Sequence, residues 1–280
     1  MKEVFISFAV FVFCVSLTLF SQFNSPQVVN AAESEIQFVQ KTPVVKLEPY
    51  PHVVIEDALP QDIYDQLAKE WPEGPLLATV PHDNGVCYRL KADEMLKPGR
   101  VSKLWKDFTE YHTSIDFFNE VKSVFKDYIK HENPTLGARG WAKKSDMIWT
   151  DCQTVMHEPV TTTTRTPHID NPREIYAGLL YMPFSNDTAQ GGDFEIYNSN
   201  NTVNAVDMKK GRQIFEEDLG EVHTTVPYKA NTFVMFLNNS AQAIHGVTPR
   251  TNATMRRRSV NIIAEYSRQS RNQMYSINEI

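Results

Sequence analysis

The hydrophobic and polar positions divide the chain into four stretches. Val4 to Phe20 (VFISFAVFVFCVSLTLF) carries no charge, which is close to the shortest apolar run that crosses a bilayer as a helix. Residues 24–48 mix polarity, contain two prolines and hold no period, so they read as a linker. A strand is predicted at His52–Glu56 (HVVIE). A helix opened by Pro60 follows, with Ile63, Tyr64, Leu67, Ala68 and Trp71 on one face, and Pro72 stops it. Residues 73–100 are rich in turn formers and show no assignable element. From Val101 to Lys130, Leu104, Phe108, Tyr111, Ile115, Phe118, Val121, Phe125 and Tyr128 recur at threes and fours. That spacing predicts one long helical stretch packed on a sheet and ended by Asn133-Pro134.

From Asp146 the pattern changes to short β-type runs between turn clusters: MIWTDCQTVMH, EIYAGLLYM, DFEIYN, HTTVPY, NTFVMFL, AIHGVT and RSVNIIAEY. No helix-length amphipathic stretch interrupts them. Such a series predicts a closed or sandwiched antiparallel sheet, a jelly roll. The expected class is therefore α+β, mainly β. A helical layer (57–132) supports a β core (146–266) within one domain spanning 49–280, preceded by an N-terminal segment (1–23) and the linker. The polar stretch 198–220 reads as a surface hairpin or excursion.

Composition narrows the picture. The chain has 280 residues, 41% hydrophobic and 22% charged, an ordinary globular balance. Net charge is −6 without a basic stripe, which argues against a nucleic-acid partner, since phosphate binding needs Lys and Arg to displace counterions. The N-terminal segment has two readings, a cleaved signal peptide with Val29-Asn30-Ala31 before the cut, or an uncleaved single-pass membrane anchor. Lys2 precedes the segment and the next base is Lys41, which places the body outside the cytosol, in the lumen or the secretory pathway. Sequons at Asn186, Asn200, Asn238 and Asn252 agree with a lumenal glycoprotein. In such a compartment Cys87 and Cys152 could pair.

The chain contains one His-x-Asp, His168-Ile169-Asp170. In a strand, residues i and i+2 face the same side, so both side chains can enter a barrel interior. His245, just after the apolar NTFVMFL run, can supply a third ligand. Two histidines and one carboxylate on one face of an octahedral ion leave three positions open, the arrangement of non-haem Fe(II) oxygenases. Downstream, Arg257 and Ser259 share a face of the RRSVNII strand. An inward Arg needs an anion to meet it, and a dicarboxylate would do so, with Ser259 and Tyr181 adding hydrogen bonds. Arg165 and Arg173 flank the ligand segment, where they could meet an anionic substrate or remain solvated. His52, His82, His112, His131, His157 and His223 read as surface or satisfied core residues.

His168-Ile169-Asp170-Asn171-Pro172, Gly191-Gly192-Asp193-Phe194-Glu195-Ile196-Tyr197, Val226 to Phe236, His245-Gly246-Val247-Thr248-Pro249 and Arg257-x-Ser259 fall in one order. Together they resemble the Fe(II)- and 2-oxoglutarate-dependent dioxygenase family, in its prolyl 4-hydroxylase-like branch. The entry PHVVIEDALPQDIYDQLAKEW resembles the start of that branch's domain. The resemblance covers roughly residues 50–266. It implies a double-stranded β-helix (jelly roll) core with Fe(II) on His168, Asp170 and His245. It implies 2-oxoglutarate on Arg257, with Ser259 and Tyr181 beside it, and ascorbate as reductant. Asn231 stands where the family often has Gly at a turn, and Asn tolerates left-handed geometry. Arg257 is preferred over Arg256 and Arg258 by the Arg-x-Ser spacing, and a one-residue slip would hand the role to a neighbour.

The implied reaction hydroxylates an unactivated C–H bond, with release of succinate and carbon dioxide. The substrate is a peptidyl residue such as proline, or alternatively a small molecule or glycan. A non-catalytic or zinc-binding barrel is a third reading, against which the Arg257-x-Ser259 strand argues.

Overall fold

The computed structural model describes residues 43–73, 78–82, 85–129, 135–138, 147–159, 165–170, 174–200, 214, 218–238 and 243–266. The N-terminal apolar segment, most of the linker, and most of the 198–220 excursion lie outside the described residues. Among the described residues, no helix is long and apolar enough to cross a membrane. The last linker residues are tied down, with Lys46 bridged to His52 and Val45 packed on the core.

Strands β1 (His52–Ile55), β2 (Ala78–His82), β3 (Gly85–Leu90), β4 (Thr135–Ala138), β5 (Met147–His157), β6 (Glu174–Tyr181), β9 (Phe233–Leu237) and β11 (Arg257–Tyr266) form an eight-stranded sheet. Its order is β1-β9-β6-β11-β5-β3-β2, antiparallel along that path, with β4 parallel to β5 off it. Strands β7 (Phe194–Ser199), β8 (Leu219–Val226) and β10 (His245–Val247) form a second sheet in the order β10-β7-β8. This is the mostly β, jelly-roll organisation that the short runs predict.

Strand alternation divides the large sheet's side chains between two cores. On one face, Leu180 of β6, Phe233, Met235 and Leu237 of β9, and Val260, Ile262 and Ala264 of β11 pack with the helices. These are α1 (Gln61–Lys69), α2 (Ala92–Met95), α3 (Lys103–His112) and α4 (Ile115–Val124). Trp105 and Phe117 are fully buried there, and each such side chain contributes roughly 1.5–3 kcal/mol. On the other face, Ala177, Tyr181, Val234 and Phe236 meet Phe194, Ile196 and Val226 of the small sheet. The site described below opens on that inner face.

Several expectations are corrected. The single long helix from Val101 to Lys130 is two helices. Ser114 accepts from the Phe117 amide and starts α4, as Ser102 accepts from Trp105 and starts α3. Residues 73–100 hold the β2–β3 hairpin and α2. Pro81 within β2 obscured the hairpin, and β2 is an edge strand, where a missing donor is tolerated. Cys87 and Cys152 are both free and buried. Cys87 lies opposite His157 while Cys152 lies five positions down β5. At about 3.4 Å per residue that exceeds the reach of a disulfide. The Asn238 sequon is buried, with its amide donating to the Glu174 carbonyl, so it is closed to glycosylation. Asn186, Asn200 and Asn252 are exposed.

Candidate metal centre

His168 and His245 are 77 residues apart in the chain but directly opposed in space. Each backbone amide donates to the other's carbonyl at 2.9 Å, an isolated antiparallel bridge. His245 begins β10, which is paired to β7. His168 and Asp170 are not in a ladder strand as the alternation rule supposed; only the bridge residue is extended-paired. Ile169 between them is fully buried, and the two polar side chains share the opposite side.

The tautomers follow from the carbonyls. His168 Nδ1 faces the Thr166 carbonyl at 2.7 Å and His245 Nδ1 faces the Ala243 carbonyl at 3.0 Å, so each Nδ1 carries the hydrogen. Both Nε2 atoms therefore carry the lone pair and lie beside the carboxylate: Asp170 Oδ1 is 3.5 Å from His168 Nε2, which also accepts from Arg165 Nε at 2.9 Å, and Oδ2 is 3.4 Å from His245 Nε2. The candidate ligand atoms of all three residues fall within 4.8 Å of one another. Burial, reinforced by the neighbouring His168, pushes the His245 imidazole down to about 3, so it is neutral at physiological pH. Burial alone would raise the Asp170 carboxyl, but His245, His168 and Arg165 outweigh it and hold it well below the usual carboxylate range. Two lone-pair nitrogens and an ionised carboxylate converge, a donor set that suits a divalent cation. Phe194 stacks on His245 (centroids 5.2 Å) and Phe236 tilts against it at 4.5 Å, so the ring orientation is held by packing.

The same cavity, of about 140 Å³, is lined by His168, Asp170, His245, Arg257, Ser259 and Asn261. Strand register decides among the consecutive arginines. Arg257 points inward, 2% exposed, with Nε donating to the Gly192 carbonyl at 2.9 Å. Arg256 points out to Glu158 at 2.9 Å, over the Tyr88 ring. Arg258 turns to the helical side, against Trp71 and Phe184, and donates to the Met182 carbonyl. Gly191 and Gly192 adopt positive φ (80° and 81°), and this turn delivers the carbonyl that aims Arg257.

Arg257 Nη2 and the Tyr181 hydroxyl are both buried without a hydrogen-bond partner. Burial pushes the Tyr181 phenol up, and the Arg257 guanidinium 5.1 Å from its ring opposes that push without reaching hydrogen-bond geometry. Among the described residues no carboxylate pairs with Arg257. A buried cation beside an orphaned hydroxyl fits a bound carboxylate. Ser259 faces the cavity too, its hydroxyl donating to Asn261 Oδ1 at 2.9 Å.

Sequence reasoning missed a residue packed on Arg257 and some of the cavity wall. Tyr228 lies 4.7 Å from the Arg257 guanidinium; its hydroxyl donates to the Arg258 carbonyl and accepts from the Arg258 amide. Its amide donates to Asp193, which places it from two sides. The signal was present, since Tyr228 falls in the VPYKANTF run, but nothing in the pattern marks it as inward. His157, expected as a satisfied core or surface residue, lines the cavity, as do Arg89 and Arg165. His52 and His112 are buried with Nδ1 on backbone carbonyls, and His223 is exposed. Arg173 and His131 lie outside the described residues.

Residues 153–264 match a family model described as the 2OG-Fe(II) oxygenase superfamily. No curated protein matches the chain. Among solved structures, the non-heme α-ketoglutarate-dependent epimerase SnoN from nogalamycin biosynthesis is similar, at 10% identity and TM-score 0.50. The match covers 77% of this chain and 78% of that one. A prolyl-4-hydroxylase from Pseudomonas putida matches at 15% identity and TM-score 0.48, covering 77% of this chain and 92% of that one. A Trichoplax adhaerens prolyl hydroxylase, solved with a peptide fragment of a hypoxia inducible factor oxygen degradation domain, matches at 12% identity and TM-score 0.45. There the coverage is 77% and 83%. At these identities the likeness is one of fold.

Proposed function

We propose that this chain, whose residues 153–264 match a family model of the 2OG-Fe(II) oxygenase superfamily, is an Fe(II)- and 2-oxoglutarate-dependent hydroxylase of a peptidyl residue, with proline as the favoured target. The observation that carries the reading is the pairing of two features in one cavity. One is a His168, Asp170 and His245 cluster with its lone pairs converging. The other is Arg257, on the wall of that cavity with unmet hydrogen-bonding capacity and backed by the buried Tyr181, whose hydroxyl is also unmet but which is not itself a lining residue.

Iron and 2-oxoglutarate, when bound, supply an oxidant able to hydroxylate an unactivated C–H bond, with release of succinate and carbon dioxide. The chain's own residues do the rest. His168, Asp170 and His245 would hold the metal on one face. Arg257, aimed by the Gly192 carbonyl and backed by Tyr228, would hold the far carboxylate, with Tyr181 donating beside it. Phe194 and Phe236 keep the ligand wall apolar and water away from the reacting centre.

Proline is favoured because the ordered motifs resemble the prolyl 4-hydroxylase-like branch. The same reading places ascorbate as reductant and the body outside the cytosol, held by the segment 4–20 or secreted after its removal. The test is succinate release from purified protein given Fe(II), 2-oxoglutarate and ascorbate, with proline-containing peptides screened by mass for a 16 Da gain, the mass of one added oxygen atom. Succinate release dependent on both iron and 2-oxoglutarate supports the reading; release independent of either sinks it.

A further inference from the structure

We propose that Tyr228, acting through Arg257, sets the length of 2-oxo dicarboxylate that the cavity accepts, and so selects 2-oxoglutarate over 2-oxoadipate, its homologue with one more methylene. This rests on the oxygenase reading above and adds what makes the co-substrate specific.

Tyr228 stands in the turn between β8 and β9, behind the cavity wall rather than on it. Its ring centre lies 4.7 Å from the Arg257 guanidinium carbon, and that of Tyr181 lies 5.1 Å from it. The two ring centres are 5.2 Å apart, with the rings edge to face at 67°. Three nearly equal separations place both rings on one side of the guanidinium. They form a corner in which it is seated, not two walls that sandwich it. Arg257 Nε is tied to the Gly192 carbonyl at 2.9 Å, while Nη2 is buried without a partner. A carboxylate partner would orient this arginine equally well, but it would occupy the charge and the donors that a co-substrate needs. An aromatic face attracts the cation through its quadrupole and leaves the hydrogen-bonding edge free.

Tyr228 is itself pinned to both segments that aim Arg257. Its hydroxyl accepts from the Arg258 amide at 2.7 Å and donates to the Arg258 carbonyl at 3.0 Å, which fixes it to β11. Its amide donates to the Asp193 carboxylate at 2.8 Å, which fixes it to the Gly191-Gly192 turn. The Arg250 guanidinium lies 5.7 Å from the same ring and is held in turn by Asp187 at 2.5 Å and the Met255 carbonyl at 2.8 Å.

The consequence is for length. The far end of the cavity is rigid too, because Phe194 and Phe236 pack the His245 ring. A dicarboxylate that reaches from the candidate metal ligands to Arg257 must therefore match the gap between two fixed ends. An arginine free to change rotamer would retreat before a longer chain, since its stem is flexible. One seated in a pinned corner does not. A rigid site discriminates one methylene by roughly tenfold or more.

The experiment uses the full chain loaded with Co(II) in place of iron, to prevent turnover. Calorimetry then measures binding of 2-oxoglutarate and of 2-oxoadipate. The unsubstituted chain is expected to bind 2-oxoglutarate about tenfold tighter or more. Tyr228→Leu should bring the two acids within about threefold of each other, by weakening 2-oxoglutarate more than 2-oxoadipate. Tyr228→Met removes the π face at closer to the native volume, and it carries the test if Tyr228→Leu fails to fold. Tyr228→Phe keeps the ring and should keep the preference. A merely structural role would weaken both acids by the same factor in Tyr228→Leu and Tyr228→Met. That result, a preference undiminished in those variants, or no preference for 2-oxoglutarate in the unsubstituted chain overturns the role of Tyr228 while leaving the oxygenase reading intact. Loss of the preference in Tyr228→Phe overturns it as well, by assigning the effect to the hydroxyl. Failure of the cobalt-loaded chain to bind either acid overturns both.

Discussion

Arg256, Arg257 and Arg258 are adjacent, yet their surroundings share almost nothing. Period-two alternation sends Arg257 into the cavity and its neighbours out of it, one to Glu158 and one to Trp71 and Phe184. The Arg-x-Ser spacing therefore made the inward arginine legible from sequence. Its aim was not legible, because it depends on a carbonyl 65 residues away and on the Tyr228 ring. We predict that Arg257→Ala raises the 2-oxoglutarate concentration needed for half-maximal succinate release by about 100-fold, roughly 2.7 kcal/mol, with metal content near normal. Arg256→Ala, which loses only a half-exposed ion pair, should leave that concentration within about twofold. The reverse pattern in the two variants would show the anchor to be misassigned. Asn231 was legible too. Its φ is 58°, and its amide clamps the Leu59 backbone through both Oδ1 and Nδ2, a contact that a family-typical Gly could not make.

At the scale of elements, apolar runs with period two were legible, and interruptions in a longer period were not. MIWTDCQTVMH is β5 to the residue. By contrast, the spacing Leu104, Phe108, Tyr111, Ile115, Phe118 carries straight through the break at Thr113-Ser114. A Ser114 cap between the two helices leaves the apolar spacing unbroken in the sequence, although Ile115 is exposed in the fold, so periodicity alone cannot register the break. The ligand segment failed for a related reason: His168 and Asp170 belong to a single bridge, too short to show alternation. The Gly191-Gly192 turn links an element's geometry to the site. A Cβ on Gly191 would stand 2.0 Å from the Pro249 carbonyl oxygen, at a φ that L side chains rarely adopt. Gly191→Ala should therefore displace the Gly192 carbonyl that aims Arg257. The expected outcome is a melting temperature lower by several degrees, for a loss of about 1–3 kcal/mol, together with a raised 2-oxoglutarate requirement. Calorimetry and the succinate assay measure the two effects separately, and an unchanged requirement would detach this turn from the anchor.

For the molecule as a whole, the large sheet serves two cores, one packed by helices and one holding the site. The helical face carries its own acid sensitivity. His112 is buried among Phe108, Tyr111 and Phe117, and burial pushes its imidazole down to about 3 from an ordinary 6.5. Its folded value lies below its unfolded one, so the unfolded chain binds the extra proton. Stability from this group is complete above about pH 6.5 and falls, by up to about 1.4 kcal/mol per pH unit, as pH drops toward 3. His112→Leu should flatten that part of the profile in urea titrations, and an unchanged slope would mean that the imidazole is already charged in the fold. The account's central claim is that three side chains and one arginine converge to hold a ferrous ion and 2-oxoglutarate together. Anaerobic titration with Fe(II) and then 2-oxoglutarate measures this most directly. The prediction is a weak visible charge-transfer band that saturates with both components, is absent in His168→Ala, and in Arg257→Ala needs far more 2-oxoglutarate. A chain that binds iron with no band on adding 2-oxoglutarate, or a band undiminished in His168→Ala, would contradict it.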